Sequence, residues 1–101
     1  MEKRRPHYRL VDIKTAFANP AALNRTFTSK QDADALGMTD TDVVAAIQTL
    51  SNSDFDKSMT SVASNKIWQD VYKPTVAGQP LYVKFTLDAQ GSYLLISFKR
   101  L

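Results

Sequence analysis

Residues 81–101 constrain this chain most. Leu81, Val83, Phe85 and Leu87 alternate with Tyr82, Lys84 and Thr86, the period of two expected of a strand with one buried face. Asp88-Ala89-Gln90-Gly91 follows, opening on a side-chain acceptor and closing on glycine, as suits a type I turn. A second run sets Leu94, Ile96 and Phe98 on one face against Tyr93, Leu95, Ser97 and Lys99 on the other. Pairing Leu87 with Ser92 brings Phe85 opposite Leu94, Val83 opposite Ile96 and Leu81 opposite Phe98. The apolar faces then coincide, and a slip of one residue would separate them. In this register Tyr82 faces Ser97, with Lys99 on a diagonal about 7–8 Å away. The hairpin therefore predicts an apolar face for a core and a phenol–ammonium–hydroxyl face for a polar site.

Upstream, Lys3-Arg4-Arg5 before Pro6 predicts an extended basic arm at a mobile terminus. Leu10, Val11, Ile13, Ala16 and Phe17 recur at helical spacing, predicting a helix over 9–18. Residues 24–28 lean towards an edge strand. Ser29 then caps a helix over 30–36 that Gly37 stops. Thr39-Asp40-Thr41-Asp42 supplies caps for a third helix with Val43, Ile47 and Leu50 on its apolar stripe, widened by Val44 and Ala46. Capping explains those acids better than catalysis does. Strands follow at 54–62, where Phe55, Lys57 and Met59 share a face, and at 66–73. Helices first and strands afterwards, without alternation, predict one α+β domain over residues 1–101 with a mostly antiparallel sheet.

Composition narrows the chemistry. There is no cysteine and one histidine, His7, which leaves no thiolate metal site and argues against a histidine triad. No metal and no cofactor is expected. No apolar run is long enough for a membrane span or a signal core, so a soluble cytoplasmic protein is expected. Residues 1–30 carry seven Lys/Arg against two acids, 31–56 carry six Asp and no base, and 57–101 carry six bases against two acids. Basic ends around an acidic middle suit a surface facing a polyanion. An ordinary solvated surface fits the charge about as well.

The sheet is expected to project Lys57, Gln69, Tyr82, Lys84, Tyr93 and Lys99, with Trp68 and Tyr72 nearby in sequence. Cations neutralise phosphates, while amides and phenols bond or stack on bases. Ribonuclease chemistry needs a base for the 2′-OH, a cation for the phosphorane and an acid for the 5′-oxygen. Without histidine or carboxylate in this set, tyrosine or lysine must move the proton, and neighbouring cations that lower their pKa make this feasible. A binding sheet without chemistry fits the same residues.

The segment Ser53-Asp54-Phe55-Asp56-Lys57-Ser58-Met59-Thr60, followed by Ile67-Trp68-Gln69-Asp70-Val71-Tyr72-Lys73-Pro74, resembles the signature of the MqsR toxins, bacterial mRNA interferases with a RelE-like fold. Met1-Glu2-Lys3-Arg4 with Pro6-His7, and Ser97-Phe98-Lys99, are similar too. The resemblance implies a ribosome-independent endoribonuclease that cuts mRNA at GC-containing triplets and is neutralised by a cognate antitoxin, MqsA. The family's catalytic lysine, glutamine and tyrosine fall on Lys57, Gln69 and Tyr82. Its C-terminal lysine falls on Lys99 and its substrate-lining methionine on Met59. Lys84 joins the substrate-binding set through its place on the same face. The helical half matches less closely, and the hairpin turn is longer by an even number of residues. That keeps Tyr82 and Lys99 on one face.

Overall fold

A computed structural model describes residues 1–101. Three helices, α1 (Leu10–Ala16), α2 (Phe27–Ala35) and α3 (Asp40–Gln48), pack on one face of a sheet. Its strands are β1 (Glu2–Lys3), β2 (Phe55–Thr60), β3 (Trp68–Tyr72), β4 (Thr75–Val76), β5 (Gln79–Leu87) and β6 (Tyr93–Arg100). Every strand pair is antiparallel. β1, β2, β3 and β5 lie side by side, β4 prolongs the line of β3 along the same edge of β5, and β6 takes the other edge. This is the expected α+β architecture. No helix is long and apolar enough to cross a membrane.

The third helix forms where its caps predict. Thr39 Oγ1 accepts from the Asp42 N–H at 3.2 Å, and the Asp42 carboxylate accepts from the Thr39 N–H at 2.9 Å, closing a capping box. Val43, Ala46, Ile47 and Leu50 are buried; Val44 is only half-buried. The second helix starts earlier than expected. Thr26, not Ser29, is its cap, with its hydroxyl accepting from the Ser29 N–H at 3.2 Å. Ser29 is buried and donates to the carbonyls of Thr26 and Leu95. The expected edge strand at 24–28 shrinks to one parallel bridge, Arg25 against Leu95. On α1, Ile13 and the following Phe17 enter the core while Val11 and Ala16 stay exposed.

Two β-bulges set the register. The five residues Asp88–Ser92 form the loop, with the Asp88 N–H donating to the Ser92 carbonyl at 2.8 Å. Leu87 therefore pairs with Tyr93, not Ser92. Gly91 at φ 78° accommodates the reversal. Ile96 is then bulged, since Phe85 pairs with Leu95 and Lys84 with Ser97. The one-residue offset at the turn flips the expected faces, so Leu95 rather than Leu94 or Ile96 is buried. The bulge adds a second offset and restores them, so Phe98 is buried and Lys99 comes directly opposite Tyr82, closer than the expected diagonal. Asp56 is bulged in the same way between Phe55 and Lys57. Phe55 can thus pack on the core while Lys57 and Met59 face outwards.

The N-terminal arm is not loose. β1 pairs with β2, Glu2 opposite Met59 and Lys3 opposite Ser58. Asp70, fully buried, accepts from the backbone N–H of His7 (3.2 and 3.0 Å), from that of Tyr8 (2.9 Å) and from Ser58 Oγ (2.6 Å). Tyr8 Oη and Thr86 Oγ1 both donate to the Trp68 carbonyl, at 2.7 and 2.9 Å. Tyr72 lies in the core against Phe55 and Phe85, and its buried hydroxyl has no hydrogen-bond partner. Burial, then the negative charge of Asp70, pushes its pKa up to about 12.

Asp70→Asn keeps the size but loses the charge that three donors converge on. Its unfolding free energy should fall by about 1.5–3 kcal/mol, the worth of a hydrogen bond to a charged group. Amide exchange at His7 and Tyr8 should quicken first. Tyr72→Phe removes an unpaired buried hydroxyl and should stabilise by about 1 kcal/mol. Between pH 10 and about 12 the unfolded chain loses the phenol proton and the folded chain keeps it, so parental stability falls as pH rises across that window. The Phe variant should lack that component, as denaturant melts at stepped pH would register.

Candidate active site

The sheet's other face points away from the helices. Lys57 pairs with Val71, Val71 with Lys84 and Lys84 with Ser97, and laterally paired residues share a face. These four make one row. Glu2, Met59 and Gln69 make the row on one side of it, and Tyr82 with Lys99 the row on the other. The face therefore gathers Lys57, Met59, Gln69, Tyr82, Lys84 and Lys99, as expected. Val71 at its centre is fully buried yet lies outside the hydrophobic core cluster. Its cover is the site itself, where the Lys57 and Lys84 stems flank it.

The ammonium groups converge on Tyr82. Lys84 Nζ lies 5.7 Å and Lys99 Nζ 5.5 Å from its ring centre, within cation–π range. Burial, then the charges of Lys99 and Lys57, lowers the pKa of Lys84 from its ordinary value. Beside them a cleft of about 330 Å³ is lined by Tyr82, Lys84, Ser97, Lys99, Arg100 and Leu101. With the Gln79 amide turned to accept, Arg100 donates Nε and Nη2 to its oxygen at 2.7 and 2.8 Å.

Sequence reasoning missed one group and misplaced one. The face does contain a carboxylate: Glu2 Oε1 lies 3.4 Å from Lys57 Nζ. The alternation of β1 could have revealed it, but a two-residue strand has no readable period. Tyr93 is not on this face. It packs on the core side, edge-on to Tyr8 with ring centres 5.6 Å apart, because the turn shifts its register by one. Tyr72 is core, and Trp68 lies against the N-terminal arm. Nowhere do three His, Asp or Glu side chains converge in a way that could hold a metal ion.

Such a face can grip a polyanion and stabilise added negative charge on it. One consequence is a cost in stability. The Lys84 pKa is depressed in the fold, so below it the charged ammonium destabilises the native state. Stability should rise as pH climbs through the folded pKa towards the unfolded value of 10.5. Lys84→Met keeps the stem over Val71 and removes the charge. Its thermal midpoint at neutral pH should exceed the parent's, and the alkaline rise should be weaker.

Comparison with known proteins agrees with the geometry. The sequence model of the family described as "Motility quorum-sensing regulator, toxin of MqsA" matches residues 5–100. The chain is similar to the mRNA interferase toxin MqsR of Escherichia coli (strain K12), 39% identical over 99 residues, which span 98% of each protein. Matched by the family model over residues 5–100 and by this relative over 98% of its length, the chain belongs to the MqsR toxin family.

Proposed function

We propose that this protein is an endoribonuclease toxin that cleaves mRNA without a ribosome and without a metal ion, at GC-containing triplets. A cognate MqsA-like antitoxin neutralises it, and it acts in the cytoplasm as one domain over residues 1–101. The observation that carries the chemistry is the gathering of Lys84 and Lys99 around Tyr82, with the Lys57 charge acting on Lys84 from across the same face. The curated relative's name supplies the substrate class.

In this reading the 2′-oxygen of the substrate attacks the adjacent phosphorus, a new P–O bond forms, and the P–O5′ bond breaks. The 2′-OH gives up its proton and the departing 5′-oxygen gains one. Tyr82 and Lys57 share these transfers and the stabilisation of the phosphorane. Lys84 and Lys99 add positive charge where negative charge grows. Gln69 and Met59, neighbours across β3 and β2, hold the substrate. Glu2 holds the Lys57 ammonium until a phosphate competes for it. The donor set requires no metal, because every proposed role belongs to an ammonium, phenol, amide or thioether.

Tyr82→Phe separates an enzyme from a binding module. It removes one hydroxyl from a half-buried side chain and leaves the buried Leu81 and Val83 untouched. Cleavage of a defined RNA should drop by roughly 10²–10⁴-fold, the usual worth of proton transfer. RNA affinity and the melt should stay near the parent's. Unchanged cleavage would remove Tyr82 from the chemistry. A non-catalytic stacking face would keep its whole function with Phe. Parental cleavage should also persist in EDTA, and loss of activity restored by magnesium would overturn the metal-free reading.

A further inference from the structure

The N-terminal arm and helix α1 behind it carry a second set of cations that the active face does not use. Arg4, Arg5, Arg9 and Lys14 form no ion pair; the four ion pairs of the fold lie elsewhere. Arg4, Arg5 and Arg9 are exposed. Their backbone is nonetheless fixed, because Asp70 anchors His7 and Tyr8. The His7 ring stacks on Trp68 with centres 5.1 Å apart and planes 16° from parallel. Lys3 Nζ sits 4.2 Å from the Trp68 ring centre and donates to His7 Nδ1 at 2.9 Å. Accepting from an ammonium requires an unprotonated Nδ1, so the imidazole is neutral. Burial and the Lys3 charge, opposed by Asp70, lower its pKa accordingly. His7 is itself exposed. Next to it opens a cleft of about 560 Å³ whose lining includes His7, Arg9, Lys14 and Asn52.

This platform is continuous with the active face. β1 is the outermost strand of the sheet, and its alternation sends Glu2 to Lys57 on one face and Lys3 to Trp68 on the other. The arm thus wraps a sheet edge only one strand, about 4.8 Å, wide. We infer that the arm is a second subsite for single-stranded RNA, in which a nucleobase stacks on the His7–Trp68 pair and the flanking phosphates lie along Arg4, Arg5, Arg9 and Lys14. The inference rests on the RNA-cleaving reading above. A neutral aromatic stack between cations favours a nucleic acid over an acidic protein segment, which would use the charge but not the ring.

Trp68 is the only tryptophan of the chain, so its fluorescence reports the subsite directly. The full chain is titrated with 2′-O-methyl RNA, which lacks the attacking hydroxyl. One version just spans the cleaved bond and another extends well beyond it on both sides. The long RNA should quench Trp68 fluorescence and the short one should not. Binding of the long RNA should show the steeper salt dependence. Arg4→Gln with Arg5→Gln should flatten that log–log slope by about 1.4, from 0.7 per phosphate neutralised, and should reduce the advantage of the long RNA. Tight binding of the long RNA without quenching, or an unchanged slope in the double variant, would overturn the subsite. The latter result would turn the arm over to an acidic protein partner. These readouts do not depend on cleavage, so a parent that cuts no RNA would count against the ribonuclease reading while leaving them decisive.

Discussion

Both faces of the N-terminal edge depend on the buried carboxylate of Asp70. A carboxylate without water is costly unless donors replace its hydration, and here the arm's own backbone supplies them together with Ser58. The exchange works in both directions. The arm gains a charged acceptor that outcompetes solvent for its N–H groups, and β3 gains a satisfied anion in the middle of the sheet. With His7 and Tyr8 tied down, the two residues of β1 stay in register on β2. That register delivers Glu2 to Lys57 and Lys3 to Trp68. A strand of two residues has little cohesion of its own, so the tether rather than the ladder holds it.

The bulges at Asp56 and Ile96 do comparable work within the sheet. Each lets one strand serve the core at one end and the site at the other. β2 turns Phe55 inwards and Lys57 outwards, and β6 turns Leu95 and Phe98 inwards with Ser97 and Lys99 outwards. Regular alternation could not bury Leu95 and Phe98, three residues apart, on the same side. The bulge on β6 also puts Lys99 directly across from Tyr82, which brings its ammonium to 5.5 Å from the ring.

How much of this the chain announces depends on where its periodicity is clean. The alternation of β5 is unbroken, so its core and site faces are legible, and the capping box of α3 is legible from Thr39 and Asp42 alone. The register of β6 is not. A turn one residue longer than assumed and a bulge at Ile96 are both choices of backbone geometry that leave no mark on the hydrophobic pattern. Their offsets happen to cancel at Ser97 and Lys99, so the site residues come out on the expected face while Leu94, Ile96 and Tyr93 do not. The arm was illegible for a different reason. Its partner, Asp70, lies more than sixty residues away, and nothing local distinguishes a tethered basic segment from a free one.

The assembled face is built against its own stability. Lys57, Lys84 and Lys99 share it, and Lys84 is partly desolvated above Val71 while feeling both other lysines. An anion placed among them relieves that repulsion, so ligand binding and folding are linked. In the proposed reaction the relief is not uniform. The phosphodiester brings one negative charge, whereas the phosphorane formed on attack concentrates more of it at the same position. Groups fixed in advance by the sheet favour the more highly charged species. The electrostatic strain that lowers the Lys84 pKa in the free protein is thus the reserve from which preferential transition-state binding is drawn. A cluster softened by additional carboxylates would be a more stable fold and a weaker catalyst.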